Sequence, residues 1–189
     1  MEKKDDKSWS GVVGQHGGYR ELKSYKRAEI IYDATVVFCD RFVDRKSRTH
    51  DQMVQAARSG KQNLAEGSMA SGTSKKTELK LVGVARASLE ELLLDYEDFL
   101  RQRGVKIWEK GDARAKEART RTYRTDKTYG TYKDLVESDA ETAANAMICL
   151  IHQTNYLLDQ QLRQLDKAFL EEGGFTEKLY RVRKDRRGG

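Results

Sequence analysis

No proline occurs in this chain. Its fixed φ and missing N–H make proline the strongest helix breaker, so nothing of that kind interrupts a long helix here. Histidine and cysteine are scarce, with three and two residues, and none sits at the spacing of a zinc site. No apolar run approaches the roughly 20 residues of a membrane-spanning helix. The start, MEKKDDKSWSG, lacks the apolar stretch of a signal peptide. These absences predict a cytoplasmic protein with no membrane association, no metal and no cofactor. Cys39 and Cys149 lie far apart in apolar surroundings and are expected to be reduced core thiols.

What is present is charge and helix-forming side chains. Charged residues make up 35% of the 189 positions, and the mean hydropathy is −0.82. The length suits one domain with a single core, and the apolar residues fall at helical spacing. An N-terminal arm over residues 1–18, with four glycines, reads as mobile. A first helix is predicted over 20–44. Leu22, Tyr25, Ala28, Ile31, Thr35, Phe38 and Phe42 form its main stripe, while Ile30, Val37 and Val43 form a second strip beside it. The second helix is expected to start at Thr49, with Gln52 completing a capping box, and to end near Ser71-Gly72. The third runs from about Ser74 to Gly104. The fourth opens with Ser138-Asp-Ala-Glu141, a second capping box, and stops at Gly173-Gly174.

Four long amphipathic helices pack most simply as an antiparallel up-down four-helix bundle. The predicted architecture is all-α: a bundle over 19–172, a basic insertion over 105–137 between helices three and four, and a flexible basic tail over 173–189. The stretch Glu109 to Thr122 is expected to hold a short helix. On the second helix Gly60 and Gly67 join Met53, Ala57 and Leu64 in a strip of small and apolar side chains. An interior glycine costs about 1 kcal/mol relative to alanine, and close approach of a neighbouring helix is the expected offset.

Two motifs stand on the second and third helices: Gln62-Asn63-Leu64-Ala65-Glu66-Gly67 and Ala85-Arg86-Ala87-Ser88-Leu89-Glu90-Glu91-Leu92. Together they resemble the bacterial four-helix-bundle family that includes the intervening-sequence proteins of large-subunit ribosomal RNA. They are similar also to the accessory variability protein of diversity-generating retroelements. The resemblance covers roughly residues 19–104 and, more loosely, 138–172. The chain carries Gly60-Lys61 where relatives often have Ile-Pro, and its long insertion resembles a subfamily with a suffix after the third helix. The resemblance implies a homo-oligomer, with a pentamer as first guess, and association with RNA or DNA. It also implies a reverse transcriptase as partner and no enzymatic activity.

The residues themselves assemble no catalytic constellation. Asn63 and Glu66 read either as polar groups satisfied by neighbouring helices or as the lining of an oligomer seam. Arg86 and Glu90, four residues apart, read as a solvated ion pair. Ser88 has no histidine near it in sequence. The acidic run Glu90, Glu91, Asp95, Glu97, Asp98 lacks the Glu-x-x-His motif of di-iron bundles.

Basic charge is concentrated. From Arg101 to Lys127 there are ten bases against four acids, and from Glu177 to Arg187 six against two. That excess of ten stands in a chain of formal net charge +6, so the remainder is net acidic by about four. Arg114, Lys116, Arg119, Arg121, Arg124 and Lys127 in the insertion, with Arg181, Arg183, Lys184, Arg186 and Arg187 in the tail, are the candidate nucleic-acid contacts. Trp108, Tyr123, Tyr129 and Tyr132 interleave with the insertion's bases, which suits stacking on RNA. The alternative is a solubilising surface whose aromatics dock on the bundle. A protein-binding assembly without a nucleic-acid role is the competing function, and the second strip of the first helix, which one core would not need, favours self-association.

Overall fold

The computed structural model describes residues 17–123 and 128–187. The arm expected over 1–18 therefore lies outside the described residues except for Gly17 and Gly18. All regular structure among the described residues is helical. Four helices are long: α1 (Lys23–Phe42), α2 (Arg48–Ala70), α3 (Lys75–Gln102) and α6 (Ala140–Glu172). Three are shorter: α4 (Ala113–Thr120), α5 (Lys133–Val136) and α7 (Phe175–Arg187). No helix of the described residues is long and apolar enough to cross a membrane.

The long helices pack in a closed ring, α1 on α2, α2 on α3, α3 on α6 and α6 on α1. Their apolar stripes meet in one core that includes Ile31, Phe38, Met53, Leu64, Leu89, Leu92, Leu100, Met147 and Leu158. At one end Phe38 stands at 4.8 Å ring-centroid separation from both Tyr96 and Phe99. The buried Tyr96 hydroxyl donates to Thr35 Oγ1 at 3.1 Å, so its polar tip is not left unpaired. Cys39 and Cys149 are free and buried. Burial pushes the Cys39 thiol up to about 12, which leaves it protonated at neutral pH.

Several expectations are corrected. Ser47 caps α2, its side chain accepting from the Thr49 N–H, so Thr49 lies inside the helix. Asp139 caps α6 by accepting from the Thr142 N–H, while the Ser138 hydroxyl donates backwards to the Leu135 carbonyl. The second strip of α1 is not spare surface: Ile30 is buried, and Val37 and Val43 pack against the core. A closed ring gives α1 two helical neighbours, α2 and α6, and so a wider buried face than one partner would need. The tail is not an irregular extension, because residues 175–187 form α7.

The strip on α2 has the role the glycines required. A Cβ built on Gly60 would stand 2.7 Å from Leu89 Cδ2, and one on Gly67 would stand 3.4 Å from Leu81 Cβ. The α2 backbone thus lies against α3, and Leu89 fills the place of the missing side chain at Gly60.

Candidate nucleic-acid interface

The insertion is fastened to the outer face of α6. Ala115 and Ala118 of α4 pack with Trp108 against Ala146 and Cys149 in a second small core. Alanine at each contact lets the helices approach closely. Asn145 secures the stretch of chain before α4: its Oδ1 accepts from the Trp108 N–H at 2.7 Å and its Nδ2 donates to the Lys106 carbonyl at 3.3 Å. The expected short helix is therefore present, and it is docked.

Docking divides the candidate bases. Arg121 is buried and donates to Asp134, to Glu117 at 2.7 Å and to the Thr131 carbonyl at 3.2 Å. Its charge clamps the insertion to itself and is not presented to a ligand, which removes it from the predicted contact set. Arg114 pairs with Asp112 and Glu141 and lies 4.8 Å over the Trp108 ring. Arg119 donates to the Lys110 carbonyl at 2.6 Å. Lys106, Lys110 and Lys116 are exposed and make no ion pair among the described residues. Arg124 and Lys127 lie outside the described residues, as does the side chain of Arg186.

The interleaved aromatics divide in the same way. Trp108 and Tyr132 are buried, and Tyr129 is half-buried with its hydroxyl donating to Glu137 at 3.0 Å. Only Tyr123 of the four stands out, 80% exposed. The alternating pattern of bases and aromatics in the sequence therefore reflects docking for most of its members.

On α7 the bases are presented together. Tyr180, Arg183, Lys184 and Arg187 line one shallow surface, because offsets of three, four and seven residues fall on one helix face. All four are exposed, and Arg181 is exposed on the adjoining side. Leu179 and Val182 are half-buried on the other face.

The motif residues are not among those that line this surface. The Asn63 Nδ2 donates to the Ser59 carbonyl and hydroxyl, and Ser59 and Ser88 share a hydroxyl hydrogen bond of 2.9 Å. Glu66 is exposed and takes no part, so of the two expected polar partners only Asn63 is tied into the helix pair. Arg86 does pair with Glu90, at 2.6 Å, but it also reaches Asp159 at 3.1 Å, and Asn155 donates to Glu90 at 3.0 Å. The pair is thus a network across α3 and α6. Among the described residues no group of three or more His, Cys, Asp or Glu side chains is placed to hold a metal ion.

Three residues of consequence were not singled out from the sequence. Asn145 sits inside an apolar run and reads as an error in a core stripe until the insertion is folded over it. Tyr156, off the apolar stripe of α6, is exposed. Arg27 is half-buried on α1 and donates to the Gln153 carbonyl at 3.2 Å. Burial lowers its pKa from the ordinary value, and no carboxylate acts against that shift. Comparison with family models, with curated proteins and with solved structures gave no match.

Proposed function

We propose that this chain is a non-enzymatic, nucleic-acid-binding accessory protein whose main contact is the basic face of α7. The observation that carries the reading is the joint exposure of Arg183, Lys184 and Arg187 with Tyr180 on one helix face, without acidic partners among the described residues. Lys106, Lys110 and Lys116, exposed on the insertion, are a second set of candidate phosphate contacts. Such a surface releases condensed counterions from phosphates and binds with little preference among sequences.

The finer architecture proposed is an antiparallel up-down bundle. Its support is the order of hydrogen bonds along α1 and α6: Ser24 meets Gln161, Arg27 meets Gln153, and Arg41 reaches the Ser138 carbonyl before α6 begins. Rising numbers on one helix meet falling numbers on the other.

The test is binding of labelled RNA and DNA across a salt series. Replacing Arg183, Lys184 and Arg187 by glutamine should weaken binding and flatten the slope of log affinity against log salt by roughly 0.7 to 0.9 for each phosphate no longer neutralised. The melting temperature should not move, since the side chains are exposed. An unaltered slope in the triple variant would sink the assignment to α7. No binding by the intact protein near 50 mM salt, where electrostatic attraction is strong, would sink the nucleic-acid reading.

Self-association is proposed on different ground from the second strip of α1, which the core uses. Val84 and Leu94 are 39% and 55% exposed on α3, and with exposed Ala87 they line one face. Light scattering should give a multiple of 21.7 kDa, and Leu94→Arg should return the mass to one chain. A monomer at micromolar concentration would remove this part of the proposal. A pentamer, a reverse-transcriptase partner and cytoplasmic location are proposed from the resemblance and the composition.

A further inference from the structure

At the place where the insertion leaves α6, Gln153 joins two sides of a step. Its Nε2 donates to the Arg119 carbonyl at 3.2 Å and to Thr122 Oγ1 at 3.4 Å. Its own carbonyl accepts from Arg27 at 3.2 Å. Tyr123, next in chain after Thr122, is 80% exposed. Tyr156, about one helical turn beyond Gln153 on α6, is 64% exposed.

We infer that this step is a subsite for single-stranded nucleic acid, with an unpaired base stacking on Tyr123 or Tyr156 and a neighbouring phosphate accepting from Arg27. The inference rests on the nucleic-acid reading above and deepens it by naming the strand form.

Arg27 differs from Arg86 and Arg121 and shares with half-buried Arg119 the lack of a carboxylate partner among the described residues. Arg86 and Arg121 each face carboxylates, whereas Arg27 uses one N–H on a carbonyl and has no acidic partner among the described residues. A guanidinium partly withdrawn from water without a counter-charge is costly, and its planar fork of donors matches phosphate oxygens. The aromatic observation is independent of this charge. Tyr123 and Tyr156 are both exposed, one next in chain to Thr122 and the other three residues along α6 from Gln153. Every base offers a π-face to an aromatic ring, but those faces are covered in a duplex, so the ligand must be unpaired.

The experiment is fluorescence anisotropy with a labelled oligothymidylate and with a duplex of equal length, on the full chain. Tyr123→Ala and Tyr156→Ala should each weaken oligothymidylate binding by about 5- to 150-fold, the range that one base–aromatic stack is worth. Duplex binding, carried by α7, should be unchanged. Tyr123→Phe should retain affinity, because the ring and not the hydroxyl stacks. Arg27→Gln should flatten the single-strand salt slope by roughly 0.7, with Arg27→Lys partly restoring it. Tyr123 is too exposed for its truncation to unfold the chain, so the test stands even if an Arg27 variant melts early. Oligothymidylate binding by both alanine variants at the intact level, or equal weakening for both strand forms, overturns the subsite while leaving α7 in place. If the intact chain binds neither probe, the subsite and the broader reading fall together.

Discussion

Gly60→Leu is expected to lower the melting temperature by about 6 to 12 °C, the shift that roughly 3 kcal/mol produces in a domain of this size. The first atom added, Cβ, already stands 2.7 Å from Leu89 Cδ2 and 2.9 Å from its Cγ, with the Ala85 carbonyl at 3.7 Å. Leu89 is fully buried, so its side chain or the α2–α3 spacing must shift to admit the new atoms. Overfilling a packed core costs about 1 to 3 kcal/mol, occasionally more, and four added carbons belong at the upper end. Leu89→Ala in the same chain should recover part of the stability, since it empties the volume the new side chain needs. Gly67→Ala should behave oppositely. Its Cβ meets Leu81 Cβ at 3.4 Å and the Glu78 carbonyl at 3.5 Å, which are ordinary contacts. The gain in helix propensity of about 1 kcal/mol then appears as stability. Thermal unfolding of the two variants decides the matter, and a Gly60→Leu protein that melts like the wild type would place α2 away from α3.

Asp134→Ala should loosen the insertion, whose two halves the clamp joins, while the long helices stay folded. Arg121 is 5% exposed, and Asp134 is its two-oxygen partner; without Asp134 the guanidinium keeps only Glu117 and the Thr131 carbonyl. Breaking a buried pair costs about 3 to 5 kcal/mol, and because the Asp134 side chain is largely exposed the low end applies. Hydrogen exchange is the direct readout: amides of α4 should lose protection and those of α3 should keep it. Equal protection in α4 before and after the substitution would mean that the clamp does not hold the insertion. Arg121→Gln should cause the same loosening. It should not selectively reduce phosphate binding, because this side chain faces inward.

Acid should mimic the substitution. Arg121 holds the Asp134 carboxyl below its ordinary value in the folded chain. The contribution is therefore complete above the unfolded value near 4 and fades as pH falls through the lower folded value. Asp112 and Asp139, the caps of α4 and α6, are lowered in the same sense by the amides and side chains they accept from. The insertion should therefore be the first part to open as pH drops below about 4. Insertion protection that survives to the pH of global unfolding would overturn this order.

The sequence by itself determined the helices. Absence of proline, the 3.6-residue stripes and the Gly173-Gly174 stop are local properties of the chain, and they placed α2, α3 and α6 to within a few residues. Gly60 was also legible, since an interior glycine on an apolar face needs a neighbour against it. Caps were harder, because Ser47, Thr49, Ser138 and Asp139 all carry suitable oxygens, and only the direction of the incoming backbone selects among them. Tertiary structure alone decided which charges face water. The nine bases of the insertion look alike in the sequence, yet Arg121 ends in a carboxylate clamp, Arg114 over an indole and Lys116 in solvent. That difference depends on how α4 packs on Ala146 and Cys149, some thirty residues further along the chain. The same long-range packing turned the second strip of α1 from an expected interface into core, and it brought Arg27 and Thr122 to Gln153. Contacts across such separations leave no periodic trace in the sequence, because each partner satisfies only its own helix rules until the helices meet.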